Sequence, residues 1–460
     1  MPDLDRSDVQ ALIVTPYKCP LSRHHLFSVG DSAAGRKFIE AVLPKVTFAE
    51  QETEAHSEPL LNISLTWQGL LKLRAFDETG GASAAEAAFP WHFKDLPDAH
   101  SLRVAGDSDP ANWWNKQFAS AEIHIIVHCY AHTDASMEDL SEGVQASASA
   151  HGLKELLPTR DNAAISGRAF AGRQLHFGYQ DGISHPPVNW DDLPDRPDLL
   201  PRGMFLIDEW LEEHQSFPRH PPFRQFVRNG SYMAFAWVYQ DVAAFRTFLK
   251  ETGPALRPDL AAPEAEEWLA AKLMGRWRSG APLVLAPEAD DAGLALANDF
   301  TYAEDADGAR CPFAAHVRIV NGRDQPLNAA NKAMFPGGFP RVLRRGTPYG
   351  SDLQGDEDDG QDRGVVGMFL CANLNQQFYS LTRWMGKTDF SDVYTNPRGQ
   401  DPITGVRAFP RASPDFVIPT TGGQDPHVVK GLSQFIRFQG IAPALVPSAT
   451  TLRALARPLQ

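Results

Sequence analysis

The feature that most narrows the fold is a pattern that occurs twice. In the first half, "RHHLFSV", "LLNISLTW" and "AEIHIIVHCYAHT" read as strands, and "SAAGRKFIEAVLPKV" and "MEDLSEGVQASASAHGLKEL" read as helices. Alternation of this kind buries one face of each strand. The first helix should stop at its proline, which has no N–H to continue it. "VQALIVT" reads as a further early strand and "QGLLKLRAF" as a further helix. The second half starts again after a Pro-rich joint, "SFPRHPPFRQF". There "SYMAFAWVYQ", "GVVGMFLCAN" and "QFIRFQGIAP" read as strands, and "DVAAFRTFLKET" and "LNQQFYSLTRWMG" as helices. Strand–helix–strand order with antiparallel options is that of an α+β, ferredoxin-like unit. The expectation is two such domains, residues 1–215 and 216–460, with a cleft between them where a cofactor could sit.

Length agrees, since 460 residues exceed what a single core usually serves. A formal net charge of −14 argues against nucleic acid or an anionic membrane as partner. The four cysteines, Cys19, Cys129, Cys311 and Cys371, form no C-x-x-C pair, so neither a zinc site nor a disulfide framework is expected. A reducing, cytoplasmic compartment fits them. The opening "MPDLDRSDVQ" is acidic where a signal peptide would be basic, and no apolar run approaches the ~20 residues of a membrane span. The acidic stretch "SDLQGDEDDGQDRG" lacks the ligand spacing of a calcium loop and reads as a solvated surface loop.

Three short segments carry candidate chemistry. "LHFGYQDGISHPP" sets Asp181 between flexible residues, aromatics and two histidines, His176 and His185. "RCPFAAHVR" presents His316, and "RVLRRGTPYG" presents Arg344 and Arg345. Taken singly, these read as a turn, a half-buried histidine and an ion-pair arginine. Together they supply what a haem peroxidase needs. An imidazole holds the iron. An acid takes a proton from peroxide and returns it to the departing oxygen. A permanently charged guanidinium stabilises the negative charge that develops.

The same residues resemble the dye-decolourising peroxidases nearly end to end. "HFGYQDGIS" is similar to the G-x-x-D-G signature of that family, "DFTYAEDADGARCPFAAHVR" to its proximal-histidine segment, and "RVLRRGTPYG" with "DRGVVGMFLC" to its distal-arginine strand and the next core strand. "RNGSYMAF", "MGRWRSGAPL" and "VQALIVTPYKCPLSRHHLF" also fit, and the length resembles the larger, cytoplasmic-type branch. The resemblance implies paired ferredoxin-like domains with one haem b between them. It implies Asp181 as the distal acid–base group, His316 as the axial ligand of the haem iron and Arg344 as the distal arginine, four residues before Pro348. On a strand, Arg344 and Arg345 point to opposite faces; Arg345 is then a surface or propionate-side residue and the alternative.

Further residues follow from this reading. His176 and His185 are rival axial ligands by type, and the resemblance puts His176 beside a haem propionate. Arg318 and Arg323 follow His316 closely and are expected either at propionates or in surface ion pairs. Phe369 is expected to wall the distal side or to pack in the core. Asn373 and Asn375 stand where an acidic partner of His316 is sought; with no carboxylate there, the ligand would be less electron-rich and the peroxidase modest. Trp113, Trp114, Trp190, Trp384, Tyr232 and Tyr379 are redox-capable by type, with none assigned. Activity should favour acidic pH. The expected function is reduction of hydrogen peroxide with one-electron oxidation of phenolic or dye-like aromatic donors. Two alternatives stand beside it: a haem-binding or iron-releasing protein of the same fold, and a cofactor-free hydrolase or lyase, which no G-x-S-x-G nucleophile motif supports.

Overall fold

The computed structural model describes residues 3–50, 59–76, 87–214, 221–325, 335, 338–386, 399–409, 415–420 and 424–458. Among these, nine strands form one antiparallel sheet: β1 (Leu21–Ser28), β2 (Leu60–Leu65), β3 (Ile125–Ala131), β4 (Lys154–Leu156), β5 (Ile165–Arg168), β6 (Ser231–Gln240), β7 (Leu343–Tyr349), β8 (Gly364–Cys371) and β9 (Ile436–Val446). Their order is β4-β1-β3-β2-β9-β6-β8-β7, with β5 beside β4 on the outer edge of β1. The first four strands and the last four therefore share one plan: fourth, first, third, second. The helices follow the same plan. α1 (Ser32–Val42) comes after β1 and α2 (Asp134–Ala150) after β3. α3 (Val242–Leu256) comes after β6, and a π-turn running into Ser380–Met385 comes after β8. This is the expected α+β, ferredoxin-like arrangement, built twice.

Local sequence explains the elements. Asp31 caps α1 by accepting from the Ala34 N–H, and Phe38, Ile39 and Val42 bury one face of it. Thr133 caps α2 in the same way. Gly152, at φ +68°, ends that helix, so the "LKEL" that follows becomes β4 rather than more helix. "VQALIVT" also departs from expectation. It forms a four-residue helix, Ala11–Val14, because the Gln10 side chain is fastened to Ile63 and to the Pro447 carbonyl. An apolar run without alternation leaves that choice to tertiary contacts.

The two halves meet at a single rung, Leu65 opposite Leu445. At the far edges, a Cβ on Gly167 of β5 would fall 2.7 Å from the Thr347 side chain of β7, so the outer strands also approach each other. One hydrophobic core runs through both halves, with a second under α3 and α4 (Ala262–Met274). Trp113, Trp384, Tyr232 and Tyr379 are buried in the core, while Trp114 and Trp190 are partly exposed. No helix among the described residues is long and apolar enough to cross a membrane.

Candidate active site

Asp181 sits in a turn fixed by its backbone. Leu175 N–H donates to the Tyr179 carbonyl, Gly178 N–H to Leu175, Gln180 N–H to Arg278 and Asp181 N–H to Arg173. Gly178 and Gly182 occupy φ +86° and +83°, a region that side chains with a Cβ rarely adopt. Phe177 stacks on Phe245 at 4.3 Å and the Tyr179 hydroxyl donates to the Ala270 carbonyl, so these rings anchor the turn in the second core. What remains free is the carboxylate. Asp181 Oδ1 lies 3.7 Å from Nη2 of Arg344, and both side chains stay about two-fifths exposed (39% and 41%). They face open space rather than packed protein.

Arg344 reaches this position from β7. Its cross-strand neighbour on β8 is Phe369, and directly opposed residues share a face, so the guanidinium and the ring look the same way. Arg345 points to the opposite face, as strand geometry requires, yet it is not on the surface. It is buried, donating to the Leu12 and Ile13 carbonyls and to Arg344 O. Burial pushes its pKa down to about 10. Phe369 is half-buried, its ring tilted against that of Phe378 with centroids 5.3 Å apart.

His316 is the first residue of a short helix, α5 (His316–Val320). Its Nδ1 lies 2.8 Å from Oδ2 of Asp401, which has no exposure at all. Asp401 is held in turn by the N–H groups of Ile403 and Thr404 and by the Thr404 hydroxyl. Burial alone would raise its pKa, but His316 and these donors together hold it below the usual carboxylate range. The carboxylate partner sought at Asn373 and Asn375 is therefore Asp401. The two asparagines serve the turn after β8: Asn373 accepts from the Gln376 N–H, and Asn375 accepts from Arg383.

One hairpin ties these two sides together. Gly275 ends α4 at φ +92°, and a Cβ there would press on Cys311, Ala315 and Val317, around His316. Arg276 then reaches the Ser184 hydroxyl at 3.4 Å, and Arg278 donates to Phe177 O, both in the Asp181 turn.

No protein-family model matches the chain. Among curated proteins, it is 29% identical to Peroxidase 2 of Mycetinis scorodonius, covering 88% of this chain and 78% of the relative. It is 28% identical to a dye-decolorizing peroxidase of Exidia glandulosa, covering 87% and 78%. Among solved structures, an ancestral D-type dye-decolorizing peroxidase superposes with a TM-score of 0.80 at 25% identity, over 99% of this chain and 100% of the other. A dye-decolorizing peroxidase in complex with 2,6-dimethoxyphenol shares the fold with a TM-score of 0.76 at 24% identity, over 99% and 100%. In sequence and in fold, the chain resembles dye-decolourising peroxidases over nearly its whole length.

The remaining expected residues separate clearly. Arg318 is not available to a propionate. It lies two residues after His316 on a helix, hence on another face, and is wholly buried. Its five N–H groups are spent on Asp305, Cys311 O and Gln325. It also stacks over Tyr302 and Phe313, and is neither a surface nor a propionate arginine. Arg323 differs. It donates to Asn298 and lies 3.8 Å over Phe300, and its Nε is buried with no partner. Arg276, which sequence reasoning gave no role, shares Asn298 with Arg323 and also has an unpartnered Nε. Burial and then Arg323 push the pKa of Arg276 down to about 10. His176 is buried, with Nε2 2.8 Å from the Tyr349 carbonyl and Nδ1 unpartnered.

Proposed function

We propose that this chain is a haem-dependent peroxidase that reduces hydrogen peroxide and oxidises phenolic or dye-like donors in one-electron steps. His316 holds the iron of a haem b, and Asp181 and Arg344 act on the peroxide. The observation that carries this reading is the pair of pairs: a histidine fixed by a buried carboxylate, and a part-exposed aspartate–arginine couple, joined by one hairpin.

The residues present fit a haem. Nδ1 of His316 is committed to Asp401, which leaves Nε2 as the nitrogen for a metal. No group of three or more His, Cys, Asp or Glu among the described residues could hold a metal ion by itself, so a lone imidazole needs a macrocycle for its remaining ligands. Propionates are anionic, and Arg276 and Arg323 each keep a buried, unpartnered Nε. Arg341 adds a third, half-buried arginine, its pKa lowered by burial and by Arg323 and Arg344. No carboxylate among the described residues pairs with any of the three, which supports Arg323, with Arg276, as the propionate side. His176, held at the Tyr349 carbonyl with its Nδ1 unpartnered, is a further candidate there. Cys311, five residues before His316, is buried, and no C-x-x-C-H motif is present, so the haem is held without thioether bonds.

Bound here, the haem supplies an iron that takes peroxide and accepts electrons from donors. Asp401 accepts from the Nδ1–H of His316, which fixes the tautomer and makes the ligand more electron-rich. Asp181 takes a proton from peroxide and gives it to the departing oxygen, so that water leaves. Arg344 stabilises the negative charge on that oxygen and stays charged at any working pH. Phe369, beside Arg344, gives the peroxide side an apolar wall. The phenol bound in a related structure supports small aromatic donors. The four free cysteines suit a reducing, cytoplasmic compartment.

The test is haem titration followed by peroxide turnover with 2,6-dimethoxyphenol. Wild type should gain a haem absorption band at one equivalent and oxidise the phenol, and His316→Ala should lose turnover. Haem uptake without turnover would favour the haem-binding alternative, and no uptake would sink both.

A further inference from the structure

A helix as short as α5 does not hold itself together in water, so its direction is set by what its side chains touch. His316 and Arg318 lie two residues apart, which on a helix puts them on opposite sides. On one side His316 meets Asp401. On the other, Arg318 Nη1 lies 2.8 Å from Oδ2 of Asp305, with the two side chains 0% and 1% exposed. The helix that carries His316 is thus held between two buried carboxylates.

Asp305 gathers the chain that leads into α5. Its Oδ1 accepts from the Arg310 N–H at 2.8 Å and its Oδ2 from the Cys311 N–H at 3.0 Å. Arg318 closes the same loop from the helix side, donating to Cys311 O at 2.6 Å and to Asp305 O at 2.9 Å. Its Nε reaches Gln325 Oε1 at 3.0 Å, beyond the end of the helix. From α4, the buried Lys272 donates to Arg310 O at 2.6 Å. One guanidinium therefore joins the segment before His316, the helix itself and the segment after it.

Stability is a poor explanation for such a pair. Withdrawing two charges from water is costly, and replacing a buried ion pair with well-packed apolar side chains is often neutral or stabilising. What a guanidinium supplies is direction, because its donors are fixed in one plane.

We propose that Asp305 and Arg318 are positioning residues for His316. They set α5 so that the imidazole meets Asp401 through Nδ1 and presents Nε2 in one direction. The use of Nε2 rests on the peroxidase reading above, whereas the meeting with Asp401 does not.

The full chain tests this with and without haem, as wild type and as Asp305→Leu/Arg318→Met, which removes both charges at similar volume. Without haem, the readout is the low-field NMR resonance of the His316 Nδ1–H held by Asp401, assigned by its loss in His316→Ala. With haem, the readouts are haem affinity and the iron–imidazole stretching band in resonance Raman spectra. Urea unfolding reads stability. The double variant should unfold at a urea midpoint close to that of wild type. It should nevertheless lose or broaden the Nδ1–H resonance, bind haem at least about tenfold more weakly and show a broadened, shifted stretching band. An unchanged resonance, band and haem affinity would overturn the proposal. If the double variant does not fold, Arg318→Lys carries the test, because lysine keeps the charge but gives up the planar fork. The same changes are expected there, and wild-type values would again overturn the proposal. No haem uptake by wild type would instead overturn the peroxidase reading, while the Nδ1–H resonance would still decide the roles of Asp305 and Arg318.

Discussion

The two halves share a strand order but not an occupation. In the first, residues 43–59 separate α1 from β2, and the sheet fills its own interior with side chains. There His24 Nδ1 lies 3.0 Å from His128 Nδ1, and His128 Nε2 lies 3.0 Å from the Ser64 hydroxyl, all buried. In the second half, the equivalent connection runs from residue 257 to residue 342 and carries α4, the hairpin, His316 and Arg323. The connection from β8 to β9 carries Asp401. One half thus spends its buried imidazoles inside the core, His24 on His128 and His25 on Glu155 and the Ser141 hydroxyl; the other pairs His316 with a carboxylate and leaves one nitrogen free. A repeated frame does not repeat function. Function enters through what is inserted between the same strands.

The comparison breaks first where activity is concerned. Asp181→Asn and Arg344→Leu should each lower kcat/KM for peroxide by about 10²–10⁴-fold, and stopped-flow absorption after peroxide mixing should rank them. Asp401→Asn should cost about 10–100-fold in haem affinity or turnover and raise the iron reduction potential, because the axial imidazole loses its anionic partner. Spectroelectrochemistry reads that shift directly.

The first half should respond to pH rather than to peroxide. Burial pushes His128 down to about 3 and His24 well below its usual value. A depressed imidazole binds fewer protons folded than unfolded, so stability is fully present above about 6.5 and declines as pH falls toward the folded value. From pH 7 to 5, His128 alone should cost about 2 kcal/mol. Urea unfolding of wild type against a His24→Leu/His128→Leu variant should show a flatter dependence in the variant over that range. Asp401 has the same sign in a more acidic window. Its depressed pKa contributes stability above the unfolded carboxylate value of about 4, lost as pH falls through the lower folded value. The smallest effect is expected at the surface. Asp134→Asn removes an ion pair with Arg168 whose partners are 72% and 62% exposed, and should shift stability by no more than about 0.5 kcal/mol.

Much of this was legible in residues. Asp181, His316 and Arg344 each sit in a short string of unusual composition, and the opposite facing of Arg344 and Arg345 follows from strand geometry. The burial of Arg345 did not follow, because the Leu12 and Ile13 carbonyls that hold it come from the other half. Arg318 could have been set aside from helical spacing alone. Asp401 could not have been found. "QDPITG" reads as an Asp capping its own turn, and it does cap Ile403 and Thr404. Its partner lies 85 residues away, and nothing local marks it.

The sheet order has a consequence for how the chain is made. β9, the strand synthesised last of the nine, lies in the middle, between β2 and β6. Until it emerges, two partial sheets wait with open edges at what will become the seam. Domains tend to fold in order of synthesis, but here the joining piece arrives at the end. Asp401 is also translated late, so His316 spends most of synthesis without its carboxylate. The pair that orients His316 therefore forms only once residue 401 has been made.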